Sequence, residues 1–504
     1  MNPLARILTD AAARHGERIA FVDRSGAERR EATYADVLAA ARRGAGALRD
    51  AGIGPGDRVL LCAANSLEFP SAFFAALMAG ATLVPAPILS SQRELAFRIR
   101  HAGCRLALCD AERAAAVRSA AASIPRELTL LEIGGLATAR NEPLRDAVDV
   151  GENAPGLILY TSGTTGTPRG TVIAQETLVG HTRVIGIDAL GLGPDDRILG
   201  VLPFTHSYGC RTAMLTTFLA GACCILTGRF DAEASLRIAC EEDVSFIPAV
   251  PTMFARWGVL PAGPRPPRLH TSLAAGAPLA DEIVSRAEAR LGGEIRQAYG
   301  MTEATLATID APPAARKLGS VGRAAPDSEV RIVASDGTEC AAGKRGEIRI
   351  RGGGVMLRYL DDDAATARAL VQGWMRTGDI GWLDDDGYLH VVGRIKDMII
   401  RGGNNIYPAE LEAVLMELPE VAAAAVIGRP HETHGEDVVA VLELTPGARI
   451  ERATLDRFAE DAFARNKRPR DWAVVDAMPL GPSNKILKRV LRSRLERGEL
   501  DLLT

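Results

Sequence analysis

Residues 160–170 read Tyr-Thr-Ser-Gly-Thr-Thr-Gly-Thr-Pro-Arg-Gly, directly after the apolar run Gly156 to Leu159. Glycine permits positive φ and lets backbone N–H groups converge on an anion. Thr161, Ser162, Thr164 and Thr165 add hydroxyl donors, and Arg169 adds a charge. This is chemistry for holding phosphate. It is not a Walker A loop, which requires G-x-x-x-x-G-K-[ST]; Gly337 to Lys344 approaches that pattern with one residue too many. QAYGMTEAT (297–305) sets Tyr299, Gly300, Met301, Thr302 and Glu303 in a row. Taken alone it reads as a strand end followed by a helix whose N-cap is Thr302. In 376–412, Asp379, Arg394 and Asp397 crowd turns between strands. PLGPSNKILKRVLR (479–492) places Lys485 after a Pro/Gly/Ser loop, where a lysine is ordinarily solvated. PFTHSYG (203–209) contributes His206, Tyr208 and Gly209. Arg211 interrupts the otherwise apolar helix CRTAMLTTFLAG. The ordinary reading points it to solvent; facing a pocket, it would pair with a second carboxylate or polar group on a substrate, which would offset its burial.

The elements that must position these residues alternate along most of the chain. DRVLLCAAN (57–65) reads as a strand, LEFPSAFFAALMAG as a helix ending near Gly80, and CRLALCD (104–110) as a strand before an Ala-rich helix from Ala111. Strands at 244–247 and 269–274 continue the pattern, which implies a parallel, doubly wound α/β core. After about residue 318, EVRIVAS, GEIRIRG and GYLHVVG form a β-rich subdomain. Beyond Arg394-Ile-Lys-Asp a compact α+β pattern follows: PAELEAVLMELP as a helix, VAAAAVIG and DVVAVLEL as strands, ATLDRFAEDAFARN as a helix. The expected fold is therefore a large N-terminal domain, 1–395, with doubly wound sheets and a small β-rich subdomain. A small mobile α+β domain, 396–504, completes it.

Composition narrows the function classes. The chain has 504 residues, 47% of them hydrophobic and 24% charged, with a net charge of −4. No global field attracts nucleic acid or an anionic membrane. The eight cysteines form no C-x-x-C pair, which argues against a zinc site or disulfide framework and for a reducing compartment. No apolar run reaches the roughly 18 residues of a membrane span, and the N-terminal stretch reads as an amphipathic helix, not a signal peptide. The expected location is the cytoplasm.

Read in order, the four charged and glycine-rich segments carry a resemblance that spans nearly the whole chain. YTSGTTGTPRG, YGMTE, TGD, GRIKD, GGNNIYPAELE and the SNK ending at Lys485 resemble the adenylate-forming superfamily: acyl- and aryl-CoA synthetases, peptide-synthetase adenylation domains and luciferases. The likeness is greatest to bacterial acyl-CoA synthetases. It implies an ATP-dependent acid–thiol ligase that makes an acyl-adenylate and transfers the acyl group to coenzyme A. By that similarity Thr161, Ser162, Gly163, Thr164, Thr165, Gly166 and Arg169 would cradle the phosphates. Thr302 would bond the α-phosphate, and Glu303 would hold Mg²⁺. Tyr299 with Gly300 would face adenine beside Gly276 and Ala277, Asp379 would take the ribose hydroxyls with Arg394 nearby, and Lys485 would steady the in-line charge. Lys396 falls at the hinge of the family, and Gly402 and Gly403 would border the coenzyme A thiol. His206, Tyr208, Gly209, Arg211, Ala275 and Met301 would line the acid pocket. Amino-acid-activating relatives carry an Asp near His206, and none stands here, so a simple carboxylic acid is the expected partner. An acyl carrier protein is the alternative acceptor, a catalytically idle relative the alternative class, and the expected assembly is a monomer or homodimer. The chain departs from the pattern in having Arg169 for the usual Lys, Asn484 for the usual Gly before Lys485, Arg358 for the usual Gly before Tyr359, and no Thr-His after the first loop.

Overall fold

Residues 2–125, 127–151, 153–161, 168–481 and 485–503 are described by a computed structural model of the chain. Two large sheets organise the N-terminal part. In the first, the strand Glu294–Met301 is followed across the sheet by Thr271–Ala275, Phe246–Ala249, Arg197–Gly200, Cys223–Leu226 and Ile19–Asp23, all parallel. Antiparallel strands flank this run: Ala304–Ile309 and Arg323–Ala324 on one side, Arg30–Thr33 on the other. In the second, Pro155–Thr161, Thr82–Pro85, Arg58–Cys62, Leu106–Cys109 and Thr129–Glu132 run parallel, with Arg169–Ala174 and Arg358–Tyr359 antiparallel at the edge. Both faces of these sheets are covered, so the parallel strands are apolar runs without alternation; Leu106–Cys109 and Cys223–Leu226 are buried at every position.

Helices start where local chemistry dictates. Thr33 with Asp36, and Ser91 with Glu94, form reciprocal capping boxes for the helices Tyr34–Asp50 and Gln92–Ala102. The helix Glu68–Met78 is buried from Phe69 through Met78, and one apolar core runs through it to both sheets. An antiparallel β subdomain follows, with Ser328–Val333, Gly346–Gly352, Trp374–Leu383 and Leu389–Arg394. Last comes a sheet of Ile399–Arg401, Asn404–Ile406, Val421–His431, Gly435–Leu444 and Asp471–Val475, packed with the helices Pro408–Leu415, Arg452–Ala462 and Lys488–Glu496.

Three sequence expectations change. No helix follows Thr302; the strands Glu294–Met301 and Ala304–Ile309 form a hairpin with Thr302 and Glu303 at its tip. A Cβ on Gly300 would lie 2.1 Å from the Leu306 nitrogen, so glycine is what lets the hairpin close. Asp379 lies inside the strand Trp374–Leu383, opposite Arg394, not in a turn. The helix around Arg211 is π-helical over Cys210–Leu215, and a second π-helical segment, Val184–Ala189, packs against its continuation.

Candidate active site

The phosphate-loop candidate caps a hairpin. Strands Pro155–Thr161 and Arg169–Ala174 pair so that Thr161 lies opposite Arg169. Ser162, Gly163, Thr164, Thr165 and Gly166 lie outside the described residues. Arg169 is held at the base of the loop, its guanidinium 5.5 Å from the centre of the Tyr359 ring and its Nε 3.7 Å from Asp362 Oδ2.

Tyr359 links that base to the second hairpin. Its hydroxyl donates to Glu303 Oε1 at 3.0 Å, and Thr161 Oγ1 lies 3.5 Å from the same oxygen. Glu303 is 6% exposed, and burial pushes its carboxyl above the usual carboxylate range. No cation lies within ion-pair distance of it among the described residues. A buried carboxylate that meets only neutral donors has capacity left for a cation. One carboxylate joined by phosphate oxygens and waters is a donor set that suits Mg²⁺.

Asp379 anchors the other side. Its Oδ2 accepts from the Tyr299 hydroxyl at 2.7 Å, and its backbone N–H donates to Thr377 Oγ1 at 3.0 Å. Arg394 Nε lies 3.0 Å from Oδ1 but is not aligned as a hydrogen-bond donor, so Oδ1 keeps its acceptor capacity. Thr302 and Met301 are partly buried at the tip and edge of the Glu303 hairpin.

Lys485, from the C-terminal part of the chain, enters this centre. A Cβ on Gly276 would lie 3.0 Å from Lys485 Cε and 3.3 Å from its Nζ. Gly276 has φ +93, follows the buried strand end Ala275 and precedes the exposed Ala277. A side chain at Gly276 would displace the ammonium. Burial, then the Arg394 charge, pushes Lys485 down to about 8, against the opposing pull of Asp379. His206 is pushed down to about 3 by burial and by Lys485, so its imidazole is neutral. Its Nδ1 accepts from the Tyr208 N–H at 3.2 Å, which leaves the proton on Nε2.

Other predicted pocket residues have structural duties. The Tyr208 hydroxyl is spent on Leu273 O at 2.6 Å, leaving only the ring to face a ligand. A Cβ on Gly209 would lie 2.4 Å from Pro203 O. Arg211 is 2% exposed, against the solvent-facing reading, with its Nη1 donating to Thr177 O at 3.2 Å. Lys396 sits in the turn Ile395–Asp397, between the β subdomain and the last sheet. Asp397 in that turn lies 3.3 Å from Arg492, and Lys488 lies 2.6 Å from Glu412, so part of the basic C-terminal helix is paired within the protein. Gly402 and Gly403, at φ +55 and +78, turn the hairpin Ile399–Arg401/Asn404–Ile406. The Gly402 N–H donates to His434 O at 2.8 Å. Sequence reading passed over Tyr359, whose place beside Glu303 has no local signal. It also passed over Asp327 and His181, which lie 2.8 Å apart beneath the Arg211 helix.

Residues 8–360 match the AMP-binding enzyme family, and residues 410–485 match the AMP-binding enzyme C-terminal domain. A feruloyl-CoA synthase from Amycolatopsis sp is 35% identical over 469 residues, covering 92% of this chain and 94% of the relative. An indoleacetate–CoA ligase from Aromatoleum aromaticum is 38% identical over 374 residues, 73% of this chain and 71% of the relative. The crystal structure of ATP-bound MatB from Rhodopseudomonas palustris superposes with a TM-score of 0.88 at 28% identity, covering 98% of this chain and 99% of that one. The o-succinylbenzoate CoA synthetase of Bacillus subtilis, in complex with its acyl-adenylate intermediate, gives 0.86 at 29% identity over 97% of each chain.

Proposed function

This chain belongs to the AMP-binding enzymes, and from that premise we propose how its own residues divide the work of an acid–CoA ligase. It is an ATP-dependent acid–CoA ligase that passes through an acyl-adenylate. In the first half-reaction a substrate carboxylate oxygen attacks the α-phosphorus of ATP, and the bond to pyrophosphate breaks. In the second the coenzyme A sulfur attacks the acyl carbon, the thiol gives up its proton, and AMP leaves. A carboxylate is a poor electrophile, and adenylation supplies the leaving group it lacks.

The observation that carries this reading is the meeting of Lys485, from the C-terminal part of the chain, with the Asp379–Arg394–Tyr299 cluster at Gly276. Lys485 binds the acid carboxylate and the α-phosphate as negative charge concentrates between them. Neutral His206 offers its Nε2–H to the same carboxylate, and Thr302 bonds the α-phosphate. Asp379 Oδ1 accepts from the ribose hydroxyls, and Tyr299 with Gly300, Gly276 and Ala277 walls the adenine. Thr161 and Arg169, with the loop between them, hold the β- and γ-phosphates. Glu303 would hold Mg²⁺, which would screen the phosphate charge. Met301 and Ala275 border the acid.

The boundary falls at Lys396, between residues 1–395 and 396–504. Rotation there withdraws Lys485 and brings the Gly402–Gly403 turn to the thiol; motion between half-reactions is then part of the cycle. No helix among the described residues is long and apolar enough to cross a membrane. We place the enzyme in the cytoplasm, where its eight cysteines would stay reduced.

The test is pyrophosphate release across a panel of carboxylic acids, with and without coenzyme A. Release with at least one acid, and a coenzyme A thioester as product, is the expected result. No release with any acid contradicts the ligase reading. Adenylate that never becomes a coenzyme A thioester assigns the acyl group to a carrier protein instead.

A further inference from the structure

Arg211 is a buried cation that the adenylation chemistry leaves unused. It is 2% exposed, in the π-helical segment Cys210–Leu215. Its Nη1 donates to Thr177 O at 3.2 Å, but Nε and Nη2 have no partner. No carboxylate lies within ion-pair distance of it among the described residues. Asp327, whose charge acts on it, is committed to His181 Nδ1 at 2.8 Å. A buried guanidinium with two idle donors is costly unless something arrives to pair with it.

With His181, Thr182, Ile185, Thr212, Thr216 and Leu306, Arg211 lines a small cavity. His181 Nε2 and Thr182 Oγ1 are buried there without partners as well. Four unsatisfied polar atoms on three residues that line one cavity are unusual, because buried polar groups are nearly always paired. Both π-helical segments contribute to the walls, Val184–Ala189 through Ile185 and Cys210–Leu215 through Arg211 and Thr212. Such insertions recur at functional sites. The cavity is also next to the chemistry. Ser207, following His206, has its Oγ 3.1 Å from Oγ1 of Thr305, two residues beyond Glu303. Leu306, with φ +48, continues that strand into the cavity wall.

We propose that this cavity is the far end of the acid pocket, and that the acid carries a second acidic group which pairs with Arg211; this rests on the ligase reading above. Nε and Nη2 form one edge of the guanidinium, the edge that grips a carboxylate with two parallel hydrogen bonds. Thr182 donates a third bond. The pairing takes no part in the bond changes at the activated carboxyl; it selects which acid lies there. One requirement follows for the reaction that supplies the substrate: it must leave two acidic ends on one molecule.

Linear dicarboxylic acids of increasing length, each beside its monomethyl ester, test this by coenzyme A thioester formation. The wild-type enzyme is expected to favour its best diacid over the matching ester by about 10²-fold or more in kcat/KM, because a site built for a polar group rejects the analogue lacking it. Arg211→Met should erase that preference and raise activity on the ester, with the KM for ATP unchanged. Arg211→Lys should keep part of it. Thioester formation in which esters and simple monoacids equal or exceed every diacid overturns the inference, and the cavity then holds water. The wild-type ratio decides this even if a variant fails to fold. Absence of pyrophosphate release with every acid refutes the ligase reading itself, a distinct result.

Discussion

Lys485 and Arg211 are both cations largely withdrawn from water, and they differ in what faces them. Lys485 has Asp379 and Arg394 for electrostatic neighbours and reaches its place from the C-terminal part of the chain. Arg211 belongs to the N-terminal core, touches one backbone carbonyl and leaves two nitrogens idle. Under the proposed rotation at Lys396, the charge of Lys485 would serve a transient state and then leave. Charge fixed in a core faces the same cavity throughout the cycle. The first suits catalysis, which requires stabilisation that is strongest at the transition state. The second suits selection, in which one group on the substrate is recognised in every state.

That division can be broken experimentally, beginning with the largest expected effect. Lys485→Ala should lower the overall rate by about 10³-fold or more with every acid, since it removes an electrostatic partner of the forming charge. A loss confined to some acids would make Lys485 a selector and dissolve the contrast. The pH profile comes next. Lys485 is held down at about 8, so its charge is present below that pH and is lost as pH rises through it. Then kcat/KM for adenylation should fall about tenfold per unit above pH 8, and a flat profile up to pH 10 would contradict the charged role. Tyr359→Phe removes the hydroxyl that bonds Glu303. A hydrogen bond to a charged group contributes about 1.5–3 kcal/mol, so the ATP–magnesium dependence should weaken about tenfold or more while acid preference stays. The smallest effect is Arg169→Lys. The charge survives but the planar group over Tyr359 does not; ATP and pyrophosphate kinetics should shift by about threefold, and altered acid selectivity would mean the loop has another role.

Much of the site was legible in the sequence because its chemistry depends on residue types in a fixed order. Taken alone, the segments of Asp379, Glu303 and Lys485 read as an ordinary turn, strand end and solvated loop; their order along the chain, through the family resemblance, is what pointed to phosphate and charge. The strand-and-helix alternation was equally legible, since buried parallel strands are short apolar runs. What failed was long-range. Thr302 suits a helix cap locally, and only the close approach of Gly300 to Leu306 makes it a hairpin tip. Asp379 follows Gly378, at φ +69, which reads as a turn although the strand continues through it with a register shift after Ile380. Arg211 was uncertain because one cation in an apolar helix has two faces available, and its π-helical geometry shifts the periodicity by which a face is chosen. Tyr359 entered the sequence reading only as the neighbour of the departure at Arg358, because its role lies in a contact across 56 residues.

The most direct test of the central claim is to supply purified acyl-adenylate to the Lys485→Ala enzyme and follow thioester formation with coenzyme A. The account predicts transfer at near the wild-type rate from an enzyme that cannot make the adenylate itself. Equal loss of both half-reactions would contradict it, because Lys485 would then be needed in the step from which domain rotation is held to remove it.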